Sequence, residues 1–145
     1  MEFLNQQHQV SEPSIMVIFG GTGDLTHRKL IPALYNLAFD QLMPDHFAIV
    51  SIGRRNKTTE EYRDELKVAL EKYSRNKISE SQWERLRDII YYYQLDFTAT
   101  EGYDALATFL KGLDEQHQTL GNRIFYLAVA PEYFETIVNG LGKSG

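Results

Sequence analysis

The sequence predicts an α/β fold, a doubly wound parallel sheet covered by helices. Four short apolar runs typical of strands alternate with stretches whose apolar residues recur at helical spacing. A parallel strand pair requires a crossover connection, which a helix normally supplies and which is almost always right-handed. The first run, residues 14–19, is followed by Gly20, Gly21 and Gly23. This order is typical of a buried strand that turns into a nucleotide-binding helix.

Composition predicts one globular domain. Of the 145 residues, 43% are hydrophobic and 24% are charged, which suits one ordinary core. Residues 1–13 form a polar, glutamine-rich tail without the apolar core of a signal peptide, and residues 14–145 form the predicted domain. No apolar run is long enough to span a bilayer, so we expect a cytoplasmic protein with no membrane partner.

Charge and residue types disfavour several other functions. The formal net charge of -5 argues against nucleic-acid binding, which needs a basic face. The chain has no cysteine, and its four histidines fall in separate segments, so we expect neither disulfides nor a metal site. Neither a P-loop nor the G-x-S-x-G pattern of a serine nucleophile occurs.

Helices are predicted where apolar residues recur three or four positions apart. These residues are Leu30, Leu34, Leu37 and Ala38 in the first helix, Tyr62, Leu66, Ala69, Leu70 and Tyr73 in the second, Trp83, Leu86 and Ile90 in the third, Tyr103, Leu106, Leu110 and Leu113 in the fourth, and Phe134, Ile137, Val138 and Leu141 in the last. The second, third and fourth strands are predicted at residues 47–52, 91–95 and 124–129.

Polar residues and one proline mark the starts of several helices. Thr58-x-x-Glu61 and Ser79-x-x-Gln82 match the capping box, in which two side chains satisfy each other's backbone N–H groups. Thr100 is predicted to cap the fourth helix, and Pro131 fits the first position of the last helix.

The carboxyl ends of the strands are expected to form one ligand-binding rim, as in other parallel sheets. This rim would carry Gly20, Arg54, Asp96 and the pair Ala130-Pro131. An acid at the end of the second strand favours NAD, whereas arginine there favours the 2′-phosphate of NADP. Here Arg54 and Arg55 follow the strand with no acid beside them in sequence, which predicts NADP. The alternative is that Arg54, Arg55 and Lys57 are simply solvated charges before a helix.

Four blocks in order resemble the amino-terminal domain of the glucose-6-phosphate dehydrogenase family. They are F-G-G-T-G-D-L-T-H-R-K-L-I-P-A-L at residues 19–34, I-G-R-R at 52–55, L-D-F at 95–97 and N-R-I-F-Y-L-A-V-A-P-E-Y-F at 122–134. The resemblance covers nearly the whole chain after the leading tail. It implies a Rossmann-like domain that forms the cofactor-binding part of a larger two-domain enzyme.

The resemblance also implies an activity and a set of site residues. The parent enzyme would oxidise glucose 6-phosphate to 6-phosphogluconolactone, the first step of the pentose phosphate pathway, and transfer hydride to NADP.

The site residues that the resemblance implies lie in several blocks. The pyrophosphate and ribose would lie against Gly20, Gly21, Thr22, Gly23, Asp24, Leu25, Thr26 and His27. Arg54, assisted by Arg55, would hold the 2′-phosphate. Asp96, Phe97 and the backbone from Ala128 through Ala130 to Pro131 would lie beside the cofactor, while Tyr126 and Phe134 would pack in the core. Lys29 would reach the sugar substrate.

One departure from the family concerns catalysis. The E-K-P and R-I-D-H-Y segments of family members, the second of which contains the general-base histidine, do not occur in this sequence. A general base must reach the proton that it removes. We therefore expect a truncated chain without the substrate domain, with no catalytic residue of its own and inactive by itself. The parent enzyme is expected to be a homo-oligomer.

Two other classes of function are consistent with parts of the sequence. The glycine spacing is G-x-x-G rather than G-x-G-x-x-G, so the dinucleotide fingerprint is incomplete. A non-catalytic NADP-binding sensor of the atypical reductase type shares G-G-T-G, but usually continues to a third glycine where Thr26 stands. A protein-interaction domain would leave the R-K-L-x-P run unexplained.

Overall fold

The computed structural model describes residues 13–20, 29–39, 46–73, 79–96, 102–129 and 131–144, which form a four-stranded parallel sheet between two layers of helices. In chain order the elements are β1 (Ser14–Phe19), α1 (Ile31–Phe39), β2 (Phe47–Gly53), α2 (Thr59–Tyr73), α3 (Glu80–Arg87), β3 (Ile90–Gln94), α4 (Tyr103–His117), β4 (Arg123–Leu127), a 3-10 helix (Pro131–Tyr133) and α5 (Phe134–Ser144). This order confirms the predicted α/β class.

The strand order across the sheet is β3-β2-β1-β4, and every pair is parallel. The chain moves outward from β1 through β2 to β3 and then returns to the opposite side of β1 for β4. Where the strand order reverses in this way, the connections that leave the two neighbouring strands run in opposite directions, and a crevice forms at the carboxyl ends of these strands. Here that crevice lies between the ends of β1 and β4.

Both faces of the sheet are buried, so the domain has two core clusters instead of the single core suggested by composition. Alternate residues of β1 face opposite sides, as the pleat requires. Met16 and Ile18 pack with side chains from α1, α2 and α3, whereas Ile15, Val17 and Phe19 pack with α4 and α5. Burial on both faces explains why β1 and β2 read as continuous apolar runs.

Of the two predicted capping boxes, one forms and the other does not. The Thr58 N–H donates to Glu61 Oε1 at 2.9 Å, and the Glu61 N–H donates to Thr58 Oγ1 at 3.1 Å. Ser79 precedes α3 in extended conformation but makes no side-chain cap. Its N–H donates instead to the Tyr35 hydroxyl at 2.8 Å, and Gln82 Oε1 is buried without a hydrogen-bond partner in the described part of the chain.

The starts of the last two helices also differ from the predictions. The residue that caps α4 is Gly102, with a φ of 93°, rather than Thr100, which lies outside the described residues. Pro131 opens the 3-10 helix, and α5 begins only at Phe134. Phe134 is 38% exposed, so its predicted place in the core is wrong, whereas Tyr126 packs against the cluster beneath α1, α2 and α3.

The described segments contain neither a candidate membrane span nor a candidate metal cluster. None of their helices is long and apolar enough to cross a membrane. No three of their histidine, aspartate or glutamate side chains are grouped so that they could hold a metal ion.

Candidate functional site

The ends of all four strands meet at one edge of the sheet. Hydrogen bonds between backbone groups at or just beyond these ends join neighbouring strands. They run from Gly20 N to Ile52 O at 2.9 Å, from Leu95 N to Gly53 O at 2.9 Å, and from Ala128 N to Phe19 O at 2.8 Å. The predicted rim is therefore a continuous structural feature, and it carries Gly20, Arg54 and Asp96.

Gly20 closes the gap between the end of β1 and the end of β4. Its φ is +91°, a conformation that residues with a Cβ atom rarely adopt. A Cβ at this position would lie 2.3 Å from Ala128 O and 3.0 Å from Val129 Cγ1. Only glycine allows the chain to leave β1 this close to β4, which places Gly20 at the crevice where dinucleotides bind in such sheets.

Arg54 and Arg55 follow β2 directly, and both are exposed at the rim. Lys57, the third cation of this segment, is directed elsewhere. Its Nζ contacts both carboxylate oxygens of Glu65 at 2.6 and 2.8 Å, and its side chain is only 8% exposed. The cations presented at the end of β2 are therefore the two guanidinium groups.

Side chains of the neighbouring strand hold the backbone that carries these arginines. The Tyr92 hydroxyl donates to Arg55 O at 2.7 Å, and Gln94 Nε2 donates to Arg54 O at 3.3 Å. Burial of the Tyr92 ring raises the pKa of its phenol, which keeps the hydroxyl protonated as a donor. The capping box at Thr58 fixes the point where the segment enters α2. Sequence reasoning missed Tyr92 and Gln94, because nothing local marks a contact between β3 and the segment after β2.

An acid does stand beside Arg54, although the sequence around Arg54 contains none. Asp96 follows β3, and its Oδ1 lies 3.8 Å from Arg54 Nε, with both side chains 57% exposed. Arg54 and Asp96 were both predicted on this rim, but their direct pairing was not predicted. The acid comes from the adjacent strand, some forty positions later in the chain.

The remaining predicted site residues fall into two groups. The first group is described and exposed. Lys29 lies just before the fully buried Leu30 and Ile31. Pro131 lies three residues after Ala128, whose N–H donates to Phe19 O. The others lie outside the described residues, namely Gly21, Thr22, Gly23, Asp24, Leu25, Thr26, His27, Phe97 and Ala130.

Comparison with known proteins gives one consistent result. Residues 17–145 match the family model described as Glucose-6-phosphate dehydrogenase, NAD binding domain. The chain is 43% identical over 132 residues to Glucose-6-phosphate 1-dehydrogenase of Chlamydia muridarum, covering 90% of this chain and 26% of that protein. The corresponding protein of Bacillus subtilis is 36% identical over 135 residues, covering 91% of this chain and 26% of that protein.

Solved structures agree with this family at the level of the fold. The crystal structure of Glucose-6-phosphate 1-dehydrogenase from Mycobacterium avium superposes with a TM-score of 0.79 at 25% identity, over 92% of this chain and 27% of that one. A structure of Glucose-6-phosphate dehydrogenase in complex with its substrate glucose-6-phosphate gives a TM-score of 0.82 at 24% identity, over 93% and 28% of the two chains. The chain spans about a quarter of the length of the curated relatives it matches. It belongs to the glucose-6-phosphate dehydrogenase family and corresponds to the NAD-binding domain of that family.

Proposed function

We propose that this chain is the NADP-binding part of a cytoplasmic, homo-oligomeric glucose-6-phosphate dehydrogenase. The complete enzyme would oxidise glucose 6-phosphate to 6-phosphogluconolactone at the entry of the pentose phosphate pathway. Support comes from the family match over residues 17–145 and from relatives that are themselves glucose-6-phosphate dehydrogenases. Membership of a dehydrogenase family favours this role over that of a non-catalytic NADP-binding regulator.

The preference for NADP depends on one observation, the pair of exposed guanidinium groups at the end of β2. The 2′-phosphate is an anion with three acceptor oxygens, and arginine can bind such a group through paired hydrogen bonds. Arg54 is the first residue beyond β2, where the adenosine ribose lies in folds of this type. Because Tyr92 and Gln94 hold the backbone of Arg55 and Arg54, less ordering is needed when the phosphate binds.

The described residues at the crevice suit the rest of the dinucleotide. The close contact of Gly20 with the end of β4 supports this role, because the turn that follows Gly20 would start beside the crevice, where backbone N–H groups can face a pyrophosphate. Bound there, NADP would supply the hydride acceptor of the reaction. The chain's own contribution would be to bind and orient the cofactor, while Lys29 would extend an ammonium group toward the anionic sugar. The glycine-turn residues 21–27, Phe97 and Ala130 complete the proposed site.

The exposed side of β4 suits a domain that continues into a larger enzyme. A groove of about 530 Å³ between α4, β4 and α5 is lined by apolar side chains that include Leu110, Phe125 and Val138. Phe125 is 43% exposed and Val138 57% exposed. Since this chain covers only 26% of such a relative, we infer that polypeptide of the complete enzyme outside these 145 residues covers the groove. That polypeptide would also supply the catalytic base and most of the sugar pocket.

Arg54→Ala tests the proposed cofactor preference. Each hydrogen bond to a charged group contributes about 1.5 to 3 kcal/mol. Loss of Arg54 should therefore weaken NADP binding roughly tenfold to a hundredfold, with Arg55 keeping the loss near the lower end. NAD carries no 2′-phosphate, so its binding should change less than about threefold. Calorimetric titration of both cofactors at one salt concentration measures the two effects.

Arg85→Ala is the matched control, because Arg85 is exposed on α3 and its loss changes the net charge equally. It should leave both affinities within about twofold of the wild type. Equal losses of NADP and NAD with Arg54→Ala would refute the assignment of Arg54 to the 2′-phosphate.

A further inference from the structure

The ion pair between Arg54 and Asp96 joins two residues that follow neighbouring strands, β2 and β3. Arg54 Nε and Asp96 Oδ1 lie 3.8 Å apart at the rim, where the 2′-phosphate would be held. We propose that Asp96 determines cofactor preference by competing with the 2′-phosphate for the guanidinium of Arg54, thereby reducing discrimination between NADP and NAD. This inference rests on the proposed role of Arg54.

The proximity of the two side chains follows from the pairing of their strands. Gly53, the last residue of β2, is in register with Gln94, the last residue of β3. One residue further on, Leu95 N donates to Gly53 O at 2.9 Å. Arg54 and Asp96 therefore leave neighbouring strands side by side, each directly after a residue whose backbone takes part in this hydrogen bond.

The surrounding charges make Asp96 the relevant competitor. Lys57 is already paired with Glu65, which removes both of those charges from the rim. Arg55 forms no ion pair with any residue of the described segments, whereas the Asp96 carboxylate pairs with Arg54. A bound 2′-phosphate would face this carboxylate across the same guanidinium, and two anions that share one cation repel each other.

The same carboxylate would have the opposite effect on NAD. NAD presents a ribose 2′-hydroxyl where NADP presents its phosphate, and a carboxylate can accept a hydrogen bond from a hydroxyl. In sites selective for NAD, the acid stands at the end of the second strand. Here β2 supplies the arginine and β3 supplies the acid, so one site contains a recognition group for each cofactor.

Asp96→Asn tests this competition in the full-length protein. The probes are 2′,5′-ADP and 5′-AMP, which differ only in the 2′-phosphate, followed by NADP and NAD. Because both side chains are half-exposed, the competition is screened, and binding of 2′,5′-ADP and NADP should tighten by about two- to fivefold. Binding of 5′-AMP and NAD should stay unchanged or weaken by up to about threefold. The gain should shrink as salt rises from low to physiological concentration.

Three further variants separate this role from a structural one. Asp96→Glu keeps the charge and should retain wild-type affinities within about twofold. Asp88→Asn is the charge control, since Asp88 pairs with Arg87 in the turn before β3, at the opposite end of that strand. It should change no affinity. In an Arg54→Ala background, Asp96→Asn should lose most of its effect on 2′,5′-ADP, because the contested guanidinium is gone.

The outcomes distinguish this inference from the proposed function. If Asp96→Asn leaves 2′,5′-ADP binding unchanged or weakens it while Arg54→Ala still selectively loses NADP, the competition is refuted and the proposed function stands. If the gain persists in full without Arg54, Asp96 acts on the phosphate directly and the competition is likewise refuted. If Arg54→Ala affects NADP and NAD equally, the assignment of Arg54 itself fails.

Discussion

Gly20 and Ala128 approach so closely that a single added methyl group on Gly20 would lie 2.3 Å from the carbonyl oxygen of Ala128. On the other side of β1, Gly20 N donates to Ile52 O at 2.9 Å, so the residue is fixed between β2 and β4. The geometry of the cofactor crevice thus depends on the absence of a side chain at one position.

Gly20→Ala should both destabilise the domain and impair cofactor binding. The positive φ and the contact with backbone at Ala128 cannot both be relieved without moving the end of β1. We expect a loss of about 2 to 4 kcal/mol in the free energy of unfolding, measured by urea denaturation. Cofactor affinity measured below the unfolding transition should fall as well, because the turn moves relative to β4.

Two other glycines provide controls for this substitution. Gly121 has a φ of +79°, but an added methyl group there would have nothing within 4 Å, so Gly121→Ala should cost only about 1 kcal/mol. Gly112 lies within α4 with open space around it, and Gly112→Ala should stabilise by about 0.5 to 1 kcal/mol. A cost for Gly20→Ala no greater than that for Gly121→Ala would show that the contact with Ala128 is unimportant.

Lys29→Ala in the complete enzyme should impair sugar oxidation more than cofactor binding. An ammonium group directed at an anionic sugar makes charge-assisted hydrogen bonds, so kcat/KM for glucose 6-phosphate should fall roughly tenfold to a hundredfold. The Kd for NADP should change less than about threefold. Lys72→Ala, at the exposed end of α2, serves as the control. Near-normal turnover by Lys29→Ala would remove Lys29 from the site.

Asp114 should contribute to stability in a pH-dependent way. Its carboxylate accepts hydrogen bonds from both Arg123 terminal nitrogens at 2.9 and 2.7 Å, which ties α4 to β4. Partial burial raises the pKa of Asp114, but the hydrogen bonds from Arg123 and Thr119 outweigh it, and the pKa lies below its ordinary value. The stabilisation is therefore present in full above the unfolded-state pKa of about 3.9 and is lost as pH falls through the folded-state value.

Asp114→Asn should accordingly destabilise the protein by about 1 to 3 kcal/mol at pH 7, because the pair is mostly buried. The difference from the wild type should shrink toward zero as pH falls through the lowered folded-state pKa of Asp114. Urea denaturation across this range measures it. Glu115→Gln, at an exposed neighbouring position on α4, should have an effect within about 0.5 kcal/mol. A cost that does not vary with pH would mean that packing, rather than charge, is responsible.

Val138→Glu should distinguish the isolated chain from the complete enzyme. Val138 lines the apolar groove beside β4, where additional polypeptide is proposed to pack. In the 145-residue chain a glutamate there stays solvated, so stability should change by less than about 0.5 kcal/mol. In the complete enzyme the buried charge should cost about 2 kcal/mol or more.

Val68→Glu is the control for that comparison, since Val68 is 66% exposed on α2, away from the groove. It should be nearly neutral in both proteins. Equal thermal unfolding midpoints for the complete enzyme with and without Val138→Glu would contradict the proposed coverage of the groove.

Local sequence determined the elements of this fold because their causes act over a few residues. The strand predicted at residues 47–52 is observed at Phe47–Gly53, and the one predicted at 91–95 is observed at Ile90–Gln94. Both runs are recognisable because strands of a doubly wound sheet are apolar on both faces. The Thr58 capping box formed as predicted because its two partners are three residues apart and need no other element.

Tertiary structure decided everything that depends on which strands are neighbours. The Tyr35 hydroxyl, from α1, accepts the Ser79 N–H, and the local capping box at Ser79 does not form. The place of β4 beside β1 gives Gly20 its contact with Ala128. The place of β3 beside β2 brings Asp96 to Arg54, so their pairing could not be found in the sequence around either residue. Such contacts join residues about forty to a hundred positions apart, and only the order and register of the strands determine that they meet.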